Sequence, residues 1–99
     1  HFRLVDMIFG IGYGDDLRKA EAVLTEILEN HPAVLKDEVH QYVIKVHALG
    51  ESSVDFVVRP WVKNEDYWNV YWDVTRSVKL RFDEENITIH SFWSIANLK

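Results

Sequence analysis

No cysteine occurs among the 99 residues of this chain, which excludes a disulfide staple, a thiolate metal site and a cysteine nucleophile and suits a reducing cytoplasm. Long apolar runs are missing too. The longest fall far short of the roughly 20 residues needed to cross a bilayer, and no signal peptide is visible. Basic side chains are outnumbered, 11 against 16 acidic ones. The resulting net charge of −5 discourages non-specific contact with phosphate backbones or anionic membranes. The chain starts at His1 rather than at a methionine, so it reads as a piece of a longer polypeptide.

What is present points to a folded unit. Hydrophobic residues make up 47% of the chain and both charge signs are interspersed, so one α/β domain spanning residues 1–99 with one core is expected. Between Arg3 and Tyr13, the residues Val5, Met7, Phe9 and Ile11 alternate with Asp6, Ile8 and Gly10, the pattern of a strand with one apolar face. Leu17, Ala20, Leu24, Ile27 and Leu28 then recur at helical spacing, with Asp15 and Asp16 at the N-cap and Pro32 as the stop.

Alternation returns at Val39–Ala48 and Ser53–Val62, two strands joined by "LGES" into a hairpin, with Pro60 at the second strand's end. A second helix is predicted from about Glu65 to Glu85, its stripe made of Tyr67, Val70, Tyr71, Val74, Val78 and Phe82. The segment "ITIHSFW" gives a last strand with Ile87 and Ile89 inward. The order β-α-β-β-α-β is that of ferredoxin-like α+β domains: a four-stranded antiparallel sheet with both helices on one face.

Several motifs invite a chemical reading and do not sustain it. "GIGYGDD" lacks the G-x-G-x-x-G spacing and the P-loop lysine, and its two aspartates stand where an anion needs bare amides. It predicts a turn plus a helix cap. His31, His40, His47 and His90 are scattered without a close pair of metal-ligand spacing, and alternation puts His40 and His47 on opposite sheet faces. Asp83, Glu84 and Glu85 are contiguous, so they do not face one another and read as a solvated charge run. No catalytic constellation, metal site or cofactor site is expected.

RNA recognition on this fold needs aromatics on the open faces of the central strands. Those positions hold Asp6, Ile8, Asp55, Val57 and Arg59, with Trp61 near the edge. The acidic balance argues the same way, so no nucleic-acid partner is expected.

The stretch "NEDYWNVYWDV" carries two adjacent aromatic pairs four residues apart. Tyr67 and Tyr71 fit the core stripe, whereas Trp68 and Trp72 widen the apolar sector beyond what one sheet face covers. Trp61 lies across the "VKNED" turn from them. Because Trp and Tyr are enriched at the centres of protein interfaces, Trp61, Tyr67, Trp68, Tyr71 and Trp72 are the candidate subunit interface. Packing within one chain is the alternative.

The composite of "FVVRPWV", "DYWNVYWDV" and "VKLRFDEENI", with "GYGDD" upstream and "VLKD" between the first helix and the second strand, resembles the C-terminal cytoplasmic domain of the small-conductance mechanosensitive channel (MscS) family over about residues 2 to 89. That resemblance implies an α/β domain that follows transmembrane helices and a middle β-domain. It further implies a homo-oligomer, seven copies in the full channel, enclosing a vestibule on the cytoplasmic side of the membrane. Ions and small osmolytes would pass through the vestibule when membrane tension opens the channel in hypo-osmotic shock. The fragment itself would be soluble, with no pore of its own. Its tail departs from the family pattern, reading "ITIHSFWSIANLK" where an "IPFPQ"-like segment normally leads to a C-terminal stem. A second reading from another class is a stand-alone ferredoxin-like module binding or sensing a small ligand on its open sheet face.

Overall fold

The computed structural model describes residues 1–94. Its central sheet has four antiparallel strands in the order β3-β4-β2-β6: β2 Met7–Ile11, β3 Val43–Leu49, β4 Val54–Arg59 and β6 Ile89–Ser94. Two helices, α1 Leu17–Asn30 and α2 Tyr67–Glu84, pack on one face and complete the β-α-β-β-α-β order of the ferredoxin-like fold. The remaining strands, β1 Phe2–Leu4 and β5 Trp61–Lys63, pair with each other as a separate ribbon.

This ribbon is where the fold departs from the sequence reading, which ran Arg3–Tyr13 and Ser53–Val62 as unbroken strands. Pro60 has no N–H to give the ladder, so the second of them splits into β4 and β5. The first breaks opposite it at Val5–Asp6. Across the break the Val5 N–H donates to the Pro60 carbonyl at 2.9 Å, and Arg59 Nε donates to Asp6 Oδ1 at 3.0 Å. The second strand also begins later than the alternation suggested, at Val43 rather than Val39. Residues 37–40 instead form a turn in which Asp37 Oδ1 accepts from the Val39 and His40 N–H groups, each at 3.0 Å.

The core sits between sheet and helices. Met7, Phe9 and Ile11 of β2 and Phe56 and Val58 of β4 meet Ala20, Leu24 and Leu28 of α1 and Val70, Val74, Val78 and Phe82 of α2, all buried. Register confirms the alternation: Phe9 pairs with Phe56 and with Phe92, and Ile8 on the opposite face pairs with Val57 and with Trp93. Asp6, Asp55 and Arg59 share that open face as predicted, and Trp93 joins them there.

The "GIGYGDD" loop is structural. Asp16 caps α1, its Oδ1 accepting from the Lys19 N–H at 3.0 Å. Asp15 Oδ2 accepts from the Gly12 N–H at 2.9 Å and the Thr88 N–H at 3.1 Å, pinning the loop to the approach of β6. A Cβ at Gly12 would stand 2.9 Å from His90 Nε2, so a side chain there would displace the His90 ring.

At its far end α2 closes with Asn86 in the left-handed region, φ 59°. The Ile87 N–H donates to the Phe82 carbonyl at 2.8 Å and the Asn86 N–H to that of Asp83 at 3.2 Å, the paired bonds of a Schellman cap. Ile87 is buried by this turn, as the sequence indicated, although β6 starts only at Ile89.

Candidate subunit interface

The aromatic segment enters through a 3-10 turn at Asn64–Asp66 and becomes the first two turns of α2. Helical spacing sends Tyr67, Val70 and Val74 into the core and leaves Trp68 and Trp72 one turn apart on the flank above strand β6. The rings form a chain of contacts. Tyr67 and Trp68 meet edge to face at 5.2 Å, Trp68 and Tyr71 do the same at 5.5 Å, and Trp68 and Trp72 lie 5.8 Å apart at 33°. Tyr71 reaches Phe92 of β6 at 6.3 Å, so the flank is continuous with the sheet edge.

Burial falls steeply along this chain. Tyr67 is 3% exposed and lies under the Arg3 guanidinium, 3.8 Å from its ring centre. Trp68 is 43% exposed and Trp72 59%. Tyr71 is half-buried, and its hydroxyl accepts from Ser94 Oγ at 3.4 Å. Edge-to-face stacking orders the rings, yet the outermost two keep much of their surface in water. The arrangement is suited to covering apolar area. It offers no nucleophile or general base.

Trp61 belongs elsewhere. It lies on β5, paired with Leu4 of β1, and its ring meets His40 edge to face at 5.5 Å, while His40 in turn packs on Phe2 at 4.5 Å. Of the five expected residues the structure therefore gathers Tyr67, Trp68, Tyr71 and Trp72 and sets Trp61 in a second cluster on the ribbon. Sequence reasoning missed Phe2, which is 49% exposed, and Phe92. Phe92 could have been found from the alternation of the last strand. His40, expected on a sheet face, lies before β3. Its Nδ1 is 3.0 Å from Asp37 Oδ1, a bond that holds the Asp37 carboxyl below the usual carboxylate range.

The acidic run at the end of α2 is paired with basic side chains. Asp83 meets Lys79 at 3.0 Å, Glu84 meets Arg81 at 3.7 Å and Glu85 meets Lys19 at 3.6 Å, so the acidic run is a solvated and partnered surface. His31 Nε2 lies 2.8 Å from Asp73 Oδ2 and links the end of α1 to α2. Among the described residues no helix is long and apolar enough to cross a membrane.

A family profile described as "Mechanosensitive ion channel MscS, C-terminal" matches residues 5–89. The chain belongs to the MscS family. An uncharacterised MscS family protein of Synechocystis sp. is 37% identical over 87 residues, which are 88% of this chain and 29% of that protein. The small-conductance mechanosensitive channel of Edwardsiella ictaluri is 33% identical over 87 residues, again 88% of this chain and 30% of the relative. Among solved structures, the closed-state crystal structure of Helicobacter pylori MscS superposes with a TM-score of 0.78 at 25% identity, covering 91% of this chain and 35% of that one. This MscS-family chain thus spans about 30% of the length of the relatives it matches.

The family match ends where β6 begins. Residues up to Ser94 nevertheless complete the sheet by pairing with β2, so the part of the divergent tail that is described serves as an edge strand. The rest of the tail, from residue 95, lies outside the described residues.

Proposed function

We propose that this chain is the assembly and vestibule-wall domain of a mechanosensitive channel that opens under membrane tension and releases ions and small solutes in hypo-osmotic shock. The observation that carries the reading is the match of nearly the whole fold to the C-terminal third of a channel of this family. On this reading the domain sits on the cytoplasmic side of the membrane, attached to membrane-spanning segments upstream, in a homo-oligomer of seven copies. Its work is mechanical and electrostatic, with no catalysis: it joins subunits, and its acidic surface biases the ions that dwell beside it through the summed field.

The aromatic flank of α2 supports the assembly part. An exposed, pre-stacked pair of tryptophans beside the outermost described strand, β6, is the composition of an interface centre. The test is the solution mass of the chain by light scattering across a wide concentration range. Concentration-dependent association is expected, weakened roughly ten-fold or more by Trp68→Ala or Trp72→Ala while circular dichroism shows the fold intact. Association that ignores both substitutions would sink the role assigned to the flank. The channel part is tested by attaching the upstream segments and recording tension-gated conductance in patches. No current under tension would refute it.

A further inference from the structure

The sheet ends on one side at β3, whose outer edge has no ladder partner among the described residues. Such an edge presents a row of unpaired N–H and C=O groups, a template for one more strand. Helix α1 runs alongside it. Tyr42 donates to Glu29 Oε2 at 2.7 Å near one end, and the Tyr13 hydroxyl donates to the Gly50 carbonyl near the other. Between these two braces lies an open groove of about 780 Å³, walled by Arg18, Glu21, Ala22, Thr25 and Glu29 of α1 and by residues 41–45, which lead into β3. The α1 positions recur at helical spacing and so share one face. In its middle the short side chains of Ala22 and Thr25 leave the space above the strand open. The charge along the groove is acidic. Glu26 is neutralised by Arg81 of α2, whereas Glu21 is exposed with no ion pair among the described residues and Glu29 is met by the neutral Tyr42 hydroxyl. Arg18 stands alone against them on the α1 wall, since the register of Lys45 with Val57 puts that lysine on the sheet face away from α1.

We propose that this groove takes an extended basic peptide of another protein, which adds to β3 as one more strand beside α1. The unpaired edge supplies main-chain bonds, and every second side chain of an added strand faces the helix. Glu21 and Glu29 are eight residues apart in α1, about 12 Å along its axis. Residues four apart in a strand are separated by about 13 Å. Two lysines or arginines at that spacing therefore meet the two carboxylates, and a small or β-branched residue midway faces Ala22 and Thr25. The register shift between Val46 and Ala48 interrupts the edge, so the ladder runs along Val43–Val46. This inference goes beyond the reading of the chain as an assembly domain and does not rest on it, because it uses the side of the sheet opposite the aromatic flank.

The test is the binding of a short fluorescent peptide to the whole chain, read by anisotropy. The peptide carries two lysines four positions apart, a valine midway and threonine elsewhere. Saturable binding is expected, weakened roughly five-fold by Glu21→Lys and lost with Ala22→Phe, which plugs the groove from an exposed helix position while circular dichroism shows the fold intact. The ladder has a signature of its own, since only alternate N–H groups of an added strand face β3. N-methylation of one alternating set should cost roughly ten-fold or more, and methylation of the other set should cost little. Equal effects of the two sets would overturn strand addition. Equal binding of a peptide with aspartate in place of lysine would overturn the charge match, and no saturable binding would overturn the site. Self-association of the free chain that Ala22→Phe abolishes would give the edge to a second copy and overturn the peptide as its occupant.

Discussion

The two helices pack on the same face of the same sheet, yet they are finished differently. Helix α1 is self-contained. Asp16 caps its start, Lys36 Nζ donates to the carbonyls of His31 and Val34 just beyond its end, each at 2.8 Å, and its buried stripe is bordered by charged residues. Helix α2 starts without a side-chain cap and carries, next to an equally well buried stripe, two tryptophans that the described residues leave largely exposed. Burying the rest of those rings would be worth on the order of several kcal/mol before the cost of association is met. The lesson is that a helix can be complete as a packing element and incomplete as a surface.

The largest effects test whether the core stripe and the flank of α2 are separate in energy. Phe82→Ala removes a fully buried ring and should cost about 3–5 kcal/mol of stability, measured as a lowered urea midpoint. Trp72→Ala, at the exposed end of the same helix, should change stability by no more than about 1 kcal/mol. Equal losses in the two variants would mean that Trp72 belongs to the fold and that the contrast between stripe and flank is false.

The helix starts give a sharper version at lower amplitude. Asp16→Ala deletes the acceptor of the Lys19 N–H and should destabilise by about 1 kcal/mol. The equivalent Asp66→Ala at α2 removes no capping bond and should stay within about 0.5 kcal/mol. Thermal unfolding of the pair decides the matter, and a larger loss at Asp66 would contradict the description of α2 as uncapped.

How far these features were legible in the sequence depends on the range of the interaction that makes them. Period-2 and period-3.6 patterns are local, so the element order, the inward side of Phe9, Phe56 and Val74, and the cap at Asp16 could all be read in advance. Trp68 and Trp72 were legible as surplus apolar area for the same reason. Pro60 was placed at a strand's end, but its consequence was not foreseen, because the break at Val5–Asp6 lies more than fifty residues away and follows only from the pairing. The separation of Trp61 from the other aromatic residues has the same origin: the ribbon carries it to His40 and Phe2. The turn at residues 37–40 was hidden because the alternation of the strand runs back to Val39, where the Asp37 carboxylate takes the Val39 and His40 amides in place of the ladder.

The smallest effect concerns the wall of the groove beside α1 and has a direction fixed by one bond. Donating to Glu29, and partly shielded from water, the Tyr42 hydroxyl has its pKa pushed up to about 12. A folded value above the unfolded one, about 10, means that this bond contributes its stability fully below about pH 10 and loses it as pH rises toward 12, because the unfolded chain gives up the proton first. In an ultraviolet titration of the four tyrosines, Tyr42 should ionise at about 12. Glu29→Gln removes the charge that opposes ionisation and should bring Tyr42 back toward the ordinary value, with the other three unchanged. A titration that Glu29→Gln leaves unaltered would mean that the bond does not hold in solution, and that the groove on the α1 side is as open to rearrangement as the aromatic flank of α2.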